Sequence, residues 1–239
     1  MRHVRDAARW VRLGARAALT VTAACVLLGW TSRARAADVE AILARLEERV
    51  AGVNSIETGF VQDRKLALFK KSLVLRGRLY MQQPDRFAWH LEEPIRTRLV
   101  LDGSRMRLWD ETSGDVQTLG VDQNPMFRLA ANQIRQWFSG RYSALRSEYD
   151  IDVASETPTV LRFTARDGNA ARNFIESVAV TFRDDERYIK AIEIVEKGGD
   201  STSIAFRDTI LNGDIPENAW QVEPASGTRT PGVRAENVP

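Results

Sequence analysis

Gln83-Pro84-Asp85-Arg86-Phe87-Ala88-Trp89-His90-Leu91 is the stretch of this 239-residue chain that decides its fold. Its first three residues are typical of a turn, and large apolar side chains then occupy alternate positions, at Phe87, Trp89 and Leu91. Side chains two residues apart lie on the same face of a strand, so this stretch predicts a strand with one apolar face. The same pattern recurs along most of the chain, which predicts an antiparallel sheet whose apolar face must be covered or filled.

About eleven stretches have this strand pattern, and turns rich in Gly, Asp, Asn and Pro separate them. They span residues 55–62, 73–81, 87–91, 97–101, 106–109, 116–119, 149–153, 159–165, 174–182, 188–196 and 201–210. An antiparallel sheet of this many strands curls instead of staying flat. We expect Arg76, Arg78 and Tyr80 on the wet face of the sheet, and Phe174 on the apolar side of its strand with Val178.

Two segments follow the period of a helix instead of a strand. Asp38 is in the position of an N-cap, and apolar residues then recur at three- and four-residue steps until a stop near Gly52. Asn124-Pro125 begins a second helix over residues 126–138, and a short third helix is expected at residues 142–146. The predicted fold class is therefore mainly β, within α+β. We expect an open, incomplete antiparallel β-barrel of about eleven strands with a helical lid.

The predicted interior of this barrel is apolar on its strand side and on its helix side. The residues expected to line it are Leu43, Leu46, Phe60, Leu79, Phe87, Trp89, Leu91, Met126, Phe127, Leu129, Ile134 and Trp137. Apolar residues in such patterns usually form a packed core. A barrel of more than about eight strands tends to enclose more space than side chains fill, which favours a ligand-binding interior here.

The first 36 residues have the anatomy of a secretory signal peptide. Five arginines precede an apolar run over residues 17–30, and Ala34-Arg35-Ala36 supplies a small-residue cleavage site. The run is too short for a credible membrane span. We therefore expect an exported, soluble periplasmic protein with one domain at residues 37–222 and a disordered tail at residues 223–239. The alternative is a lipoprotein cleaved before Cys25, although the residues before Cys25 lack the expected leucine.

Export changes what the composition implies about partners. The whole chain has 34 basic and 32 acidic residues, but residues 37–239 keep 27 basic against 31 acidic ones, a net charge of −4. The mature chain therefore lacks the positive charge typical of nucleic-acid binding, and we expect no nucleic-acid partner. It also lacks cysteine, which excludes disulfides and cysteine metal sites from the expected fold. We expect no metal or cofactor, and a monomer.

Several short motifs follow one another in order after the predicted signal peptide. They are Phe60-x-Gln62, the stretch from Gln83 to Leu91, Pro94, Leu101-Asp102-Gly103 and Leu108-Trp109. This order, over about residues 39–222, resembles the LolA family of periplasmic carriers of outer-membrane lipoproteins. The resemblance implies an open barrel with a helical lid that holds lipoprotein acyl chains between the inner and outer membranes. It also implies receipt of cargo from an inner-membrane ABC transporter and delivery to an outer-membrane receptor, without covalent chemistry.

One position departs from that family's pattern. The resemblance implies an arginine immediately before the proline of the central stretch, where it helps to hold the lid closed, but this chain has Gln83 there. Glutamine donates and accepts hydrogen bonds but has neither a charge nor a guanidinium fork. Gln83 is therefore the candidate lid latch, with Arg86 as the alternative. A lid held by Gln83 is expected to open more readily than one held by arginine.

Other functions are compatible with the same pattern. The chain could carry another lipid or a glycolipid, or it could sense lipoprotein without transporting it. An enzyme has little support, because His90 is the only histidine after residue 36 and no nucleophile motif accompanies it. The arginines at positions 76, 78, 96, 98, 105 and 107 form either a docking surface or an ordinary solvated sheet face.

Overall fold

The computed structural model describes residues 38–68, 72–121 and 138–223. The chain forms two compact units, Met1–Arg45 and Leu46–Pro239. The described residues of the first unit, 38–45, are helical, and this helix, α1, continues to residue 50. Asp38 is itself helical and so is not the predicted N-cap, whereas the helix ends close to the predicted stop at Gly52.

Eleven β-strands account for most of the regular structure in the described residues. They are β1 (Ser55–Lys65), β2 (Leu73–Gln82), β3 (Arg86–Glu93), β4 (Thr97–Asp102), β5 (Arg105–Asp110), β6 (Val116–Gly120), β7 (Tyr149–Glu156), β8 (Thr159–Ala165), β9 (Ile175–Phe182), β10 (Ile189–Glu196) and β11 (Ser201–Leu211). Short 3₁₀ helices lie at Ser143–Ser147, Ala170–Asn173 and Glu217–Trp220. The strands agree in number and position with those predicted from alternation, and the first 3₁₀ helix corresponds to the predicted third helix.

All eleven strands belong to one antiparallel sheet, in the order β6-β5-β4-β3-β2-β1-β11-β10-β9-β8-β7. Strands β1–β6 form one meander and β7–β11 form a second, and the two join where β1 pairs with β11. Among the described residues β6 and β7 do not pair with each other, so the sheet has two edges and is not closed. The predicted fold class, an open antiparallel sheet within a mainly β chain, is confirmed.

One face of the sheet, which we call the apolar face, carries the alternating apolar residues of the sequence pattern. The strand register places Phe60 beside Phe206, and Trp89 between Leu79 and Leu99. The apolar face continues across the second meander through Leu161, Phe163, Val178, Val180, Phe182, Ile192 and Ile204. Period-two spacing in separate strands therefore converges on one surface, because antiparallel pairing in register keeps side chains of the same parity together.

The opposite face, which we call the Tyr80 face, is not wet throughout, and this corrects the prediction for Tyr80. Arg76 and Arg78 are exposed as expected, but Tyr80 is only 7% exposed. A C-terminal segment, residues 214–223, lies over this part of the sheet and buries it. The buried cluster consists of Tyr80, Ala88, Val100, Trp109, Ala219, Trp220 and Val222.

Phe174 also differs from its prediction. It follows the 3₁₀ helix Ala170–Asn173, precedes β9, and is 69% exposed instead of lying on the apolar face with Val178. The side chain of Asn169 caps that 3₁₀ helix by accepting a hydrogen bond from the backbone N–H of Ala171 at 2.9 Å. This local cap keeps the chain helical up to Phe174, so the strand begins one residue later than alternation predicts.

Several predicted segments lie outside the described residues. They are the signal peptide at residues 1–36, most of the second helix at residues 126–138, and the tail from residue 224 onward. Phe138, the last residue of that predicted helix, is described and is helical. Among the helices that the structure describes, none is long and apolar enough to cross a membrane.

Candidate functional site

Two aromatic rings in contact above a glycine mark the centre of the apolar face. The ring centroids of Phe60 and Trp89 are 4.0 Å apart, with 31° between the ring planes. Gly77 of β2 pairs with Phe60 of β1, and a Cβ atom at Gly77 would lie 2.7 Å from Phe60 Cζ and would clash with the carbonyl oxygen of His90. The missing side chain therefore lets the Phe60 ring cross β2 and reach Trp89.

Burial on the apolar face changes along the strands. Residues near the end where β1 begins are buried: Met81, Phe87, Leu101 and Met106. Residues toward the other end, which we call the Lys65 end because β1 ends there, are partly exposed: Leu75, Leu91, Leu99 and Leu108. Burying a large apolar side chain is favourable by about 1.5–3 kcal/mol, so this partly exposed half is a surface on which hydrocarbon can bind.

Aromatic side chains fill the buried end of the apolar face. Tyr142 packs edge-on against Phe182, with ring centroids 5.3 Å apart, and Tyr188 lies 5.9 Å from Phe206. Burial raises the pKa of the Tyr142 and Tyr188 hydroxyls, so both phenols are neutral at pH 7. This end of the face is therefore a packed core. At the Lys65 end, strands β2–β5 offer exposed apolar surface, whereas Phe163 and Ala165 of β8 are buried.

The structure brings the strand residues of the predicted lipid site together. Phe60, Leu79, Phe87, Trp89 and Leu91 all lie on the apolar face by register. Leu43 and Leu46 of α1 are fully buried. The other five predicted residues, Met126, Phe127, Leu129, Ile134 and Trp137, lie outside the described residues.

The two candidate latch residues lie in different surroundings. Gln83 is exposed in the β2–β3 turn and helps to line a cavity of about 180 Å³ with Arg86, Phe138, Ser139 and Arg141. Phe138 is the last residue of the predicted second helix, and Ser139 and Arg141 follow it. Phe138 packs against Phe87 of the apolar face, with ring centroids 5.5 Å apart. Gln83 therefore lies close to the point where the chain returns from that helix.

Arg86 borders the same cavity but also makes contacts on the Tyr80 face. Its guanidinium carbon lies 4.1 Å from the centre of the Trp220 ring, and its Nη1 donates to Gln82 Oε1 at 3.3 Å. An ion pair with Asp102, at 3.7 Å, completes its surroundings. These contacts connect Arg86 to the C-terminal segment.

Two more arginines hold the backbone of the C-terminal segment. Arg107 donates from Nη2 to the Trp220 carbonyl oxygen at 2.9 Å, and Arg98 donates from Nη1 to the carbonyl oxygens of Gln221 and Glu223 at 3.2 and 3.3 Å. Sequence reasoning missed this contact. The sequence feature that could have indicated this contact is the apolar pair Trp220 and Val222, within a stretch rich in Pro, Gly and small polar residues.

His90 lies between the sheet and the C-terminal segment. It is 5% exposed, its ring centroid is 5.4 Å from that of Tyr80, and Nε2 has no hydrogen-bond partner among the described residues. Burial, and next the charge of Arg98, lower the pKa of His90 to about 4, while a hydrogen bond with the Ala219 backbone acts in the opposite direction. His90 is therefore a neutral, structural histidine at pH 7.

Metal-binding geometry is lacking in the described ranges, where no group of three or more His, Cys, Asp or Glu side chains could hold an ion. What the apolar face can do is bind a ligand through hydrocarbon contacts.

Comparison with known proteins gives a consistent set of matches. The family model for the outer membrane lipoprotein carrier protein LolA matches residues 51–223. The chain is 25% identical to the outer-membrane lipoprotein carrier protein of Chromohalobacter salexigens over 205 residues, which cover 85% of this chain and 91% of that protein. It is 26% identical to the protein of the same description from Halorhodospira halophila over 189 residues, covering 77% and 83% of the two chains. Among solved structures, a LolA superfamily protein from Nitrosomonas europaea is similar over 76% of this chain and 96% of its own, with 12% identity and a TM-score of 0.39.

Proposed function

This chain belongs to the LolA family of outer membrane lipoprotein carrier proteins, and from that premise we propose that it carries lipoprotein acyl chains through the periplasm. Cargo comes from an inner-membrane ABC transporter and passes to an outer-membrane receptor. The relatives named above are described as lipoprotein carriers, which supports this cargo class. The proposal includes export through the signal peptide at residues 1–36, with a mature chain that begins near Ala37.

The observation that carries this proposal is the partly exposed half of the apolar face. Leu91, Leu99 and Leu108 expose apolar surface next to the Phe60–Trp89 pair, on a sheet whose other half is packed. An acyl chain bound there gains about 0.8 kcal/mol for each methylene that it buries. Binding requires no covalent step and no metal, only removal of the chain from water.

Native mass spectrometry of the protein purified from its own envelope tests the proposal directly. We expect a bound lipoprotein, and we expect Leu91→Glu to lose it, because a carboxylate on this surface cannot be buried beside hydrocarbon without a large cost. Leu91 is partly exposed, so the substitution leaves the packed half of the sheet intact. Ile210→Glu is the matched control, since Ile210 is 54% exposed and lies on the Tyr80 face, opposite Glu57.

The spectrum also separates the alternatives. If a glycolipid or another lipid is bound instead of a lipoprotein, the proposed cargo is wrong but the proposed binding site stands. An empty protein, with unchanged lipopeptide affinity in Leu91→Glu, would contradict both the site and the carrier function. An intact mass that starts at Cys25 with added acyl groups would contradict the export proposal.

We propose Gln83 as the lid latch, with Arg86 as the residue to be excluded. Gln83 and Arg86 both border the cavity that Phe138 and Arg141 help to line, but the Arg86 guanidinium also contacts Trp220 on the other face. Gln83→Arg restores a charged donor, and charged hydrogen bonds are about twice as strong as neutral ones, so we expect slower release of a fluorescent lipopeptide. A release rate that is unchanged in Gln83→Arg but altered in Arg86→Ala would place the latch at Arg86.

A further inference from the structure

The large apolar side chains that are exposed in the described residues are concentrated at one end of the sheet. Six of the seven, Leu68, Leu73, Val74, Ile95, Val116 and Phe174, lie at the Lys65 end, and the seventh, Ile210, lies near the opposite end. The strand register fixes this placement, since β1 and β10 end where β2, β4, β6, β9 and β11 begin. We call these six residues the apolar rim.

The rim is contributed by separate connections that contact one another. The backbone N–H of Ala67 donates to Asp200 Oδ1 at 2.8 Å, and the N–H of Lys197 donates to the Phe174 carbonyl oxygen at 2.9 Å. The β1–β2 hairpin, the β10–β11 turn and Phe174 are therefore neighbours. Leu68 is 93% exposed at the hairpin and Phe174 is 69% exposed beside it. Two large, exposed apolar side chains on neighbouring connections are typical of an interaction surface.

The rim adjoins the part of the apolar face that is open. Leu75 is two residues from Leu73 on the same strand, and Leu91 is four residues from Ile95. Leu73 and Leu75 of β2 therefore connect the rim with the lipid-binding half of the sheet, and Gln62 and Arg64 of β1 lie beside them on the same face. A hydrocarbon chain that leaves this face at the Lys65 end passes the rim.

We propose that the apolar rim docks on the surface of a lipid bilayer. Its residues extend from β6 to β9, which is about 40 Å along the sheet at about 4.8 Å between neighbouring strands. Protruding side chains so far apart would each need a fitted pocket on a protein partner, whereas a bilayer accepts them without shape complementarity.

The ion pairs beside the rim are also compatible with a lipid bilayer. Arg96 and Glu111 are 2.6 Å apart, Arg172 and Asp167 are 3.2 Å apart, and Arg76 and Glu93 are 3.6 Å apart. Within each of these three pairs the opposite charges neutralise one another. Zwitterionic headgroups contain both charges and can accept such pairs.

Flotation of the mature protein with vesicles of phosphatidylethanolamine and phosphatidylglycerol tests this inference. We expect the protein to float with the vesicles, and the double variant Leu68→Glu, Phe174→Glu to bind them at least about tenfold more weakly, because two large apolar contacts are lost. The control Ile210→Glu, at the other end of the sheet, should bind as the unmodified protein does. All three side chains are exposed, so thermal unfolding should be unchanged.

Membrane docking rests on the proposed function for its biological role. A second measurement distinguishes a failure of membrane docking from a failure of the carrier function. Lipopeptide binding without vesicles should be equal in the unmodified protein and in the double variant. No flotation of the unmodified protein, or equal loss in Ile210→Glu, would overturn membrane docking even if lipopeptide binds. Rim-dependent dimers in sedimentation would overturn it as well, in favour of a second copy. Flotation without lipopeptide binding would overturn the carrier function and leave the rim in place.

Discussion

Gly77 shows how one residue without a side chain arranges the centre of the apolar face. Gly77→Ala should lower the free energy of unfolding by about 1–3 kcal/mol, because the new methyl group meets Phe60 Cζ at 2.7 Å and the carbonyl oxygen of His90. Urea unfolding measures the change. Gly52→Ala is the control, since a Cβ there has no atom within 4 Å. Equal losses in the two variants would show that the effect comes from the backbone and not from the crowding of Phe60.

His90 gives the folded protein a dependence on pH that a single substitution can remove. The pKa of His90 is about 4 in the folded chain, below its ordinary value of 6.5, so the unfolded chain binds the proton more tightly. The contribution is present above pH 6.5 and is lost as the pH falls toward 4. We expect the free energy of unfolding to decline over this range, and His90→Gln to decline less.

The measurement is urea unfolding at several pH values between 4.5 and 7, compared between the two proteins. His90 is the only histidine after residue 36, so the difference between the curves isolates one group from the carboxylates that titrate near pH 4. Parallel curves would mean that His90 is protonated equally easily in both states.

At the residue scale, sequence alone could identify the side-chain directions that depend only on spacing within a strand. The alternation of Phe87, Trp89 and Leu91 placed them correctly on one face, because a strand fixes side-chain direction locally. The same spacing put His90 on the opposite face but could not show it buried. Its burial comes from Ala219 and Trp220, which are more than a hundred residues away in sequence. A local sequence pattern cannot reveal contacts between residues so far apart in the chain.

At the element scale, the C-terminal segment acts as part of the core. Trp220→Ala should lower the free energy of unfolding by about 3–5 kcal/mol, since the indole is 5% exposed within the Tyr80 cluster and lies under Arg86. Chemical unfolding measures this, and Trp220→Phe should recover part of the loss. Glu217→Ala, on the same 3₁₀ helix but exposed, is the control. A loss below about 1 kcal/mol for Trp220→Ala would mean that the segment is not a structural element.

The strands were predictable and the C-terminal segment was not, for the same physical reason. Each strand repeats its signal at every second residue, so β1 to β11 could be found one at a time. The segment has one turn of 3₁₀ helix and no period. Its position depends on backbone carbonyls that Arg98 and Arg107 bind from other strands. The sequence showed those arginines only as possible members of a solvated face.

On the scale of the sheet, its two ends have different roles. One end is packed by aromatic residues such as Tyr142 and Phe182, while at the Lys65 end strands β2–β5 carry partly exposed leucines beside the apolar rim. The packed end contributes stability, and the proposed function assigns ligand exchange to the other end. Sequence alone predicted the apolar interior but not this division, because both ends have the same alternating pattern.

This division predicts how cargo changes the stability of the sheet. A lipopeptide that binds only the folded protein, at 100 times its Kd, stabilises it by about 2.7 kcal/mol, and for a domain of this size the Tm should rise by about 5–10 °C. The rise is measured by calorimetry with and without lipopeptide. Leu99→Glu should abolish it while keeping most of the ligand-free Tm, since Leu99 is partly exposed at the ligand-binding end. Ile210→Glu should keep the full rise, because Ile210 is on the other face. If Leu99→Glu kept the rise, cargo would bind outside the partly exposed half of the apolar face, and the assignment of the two ends would be wrong.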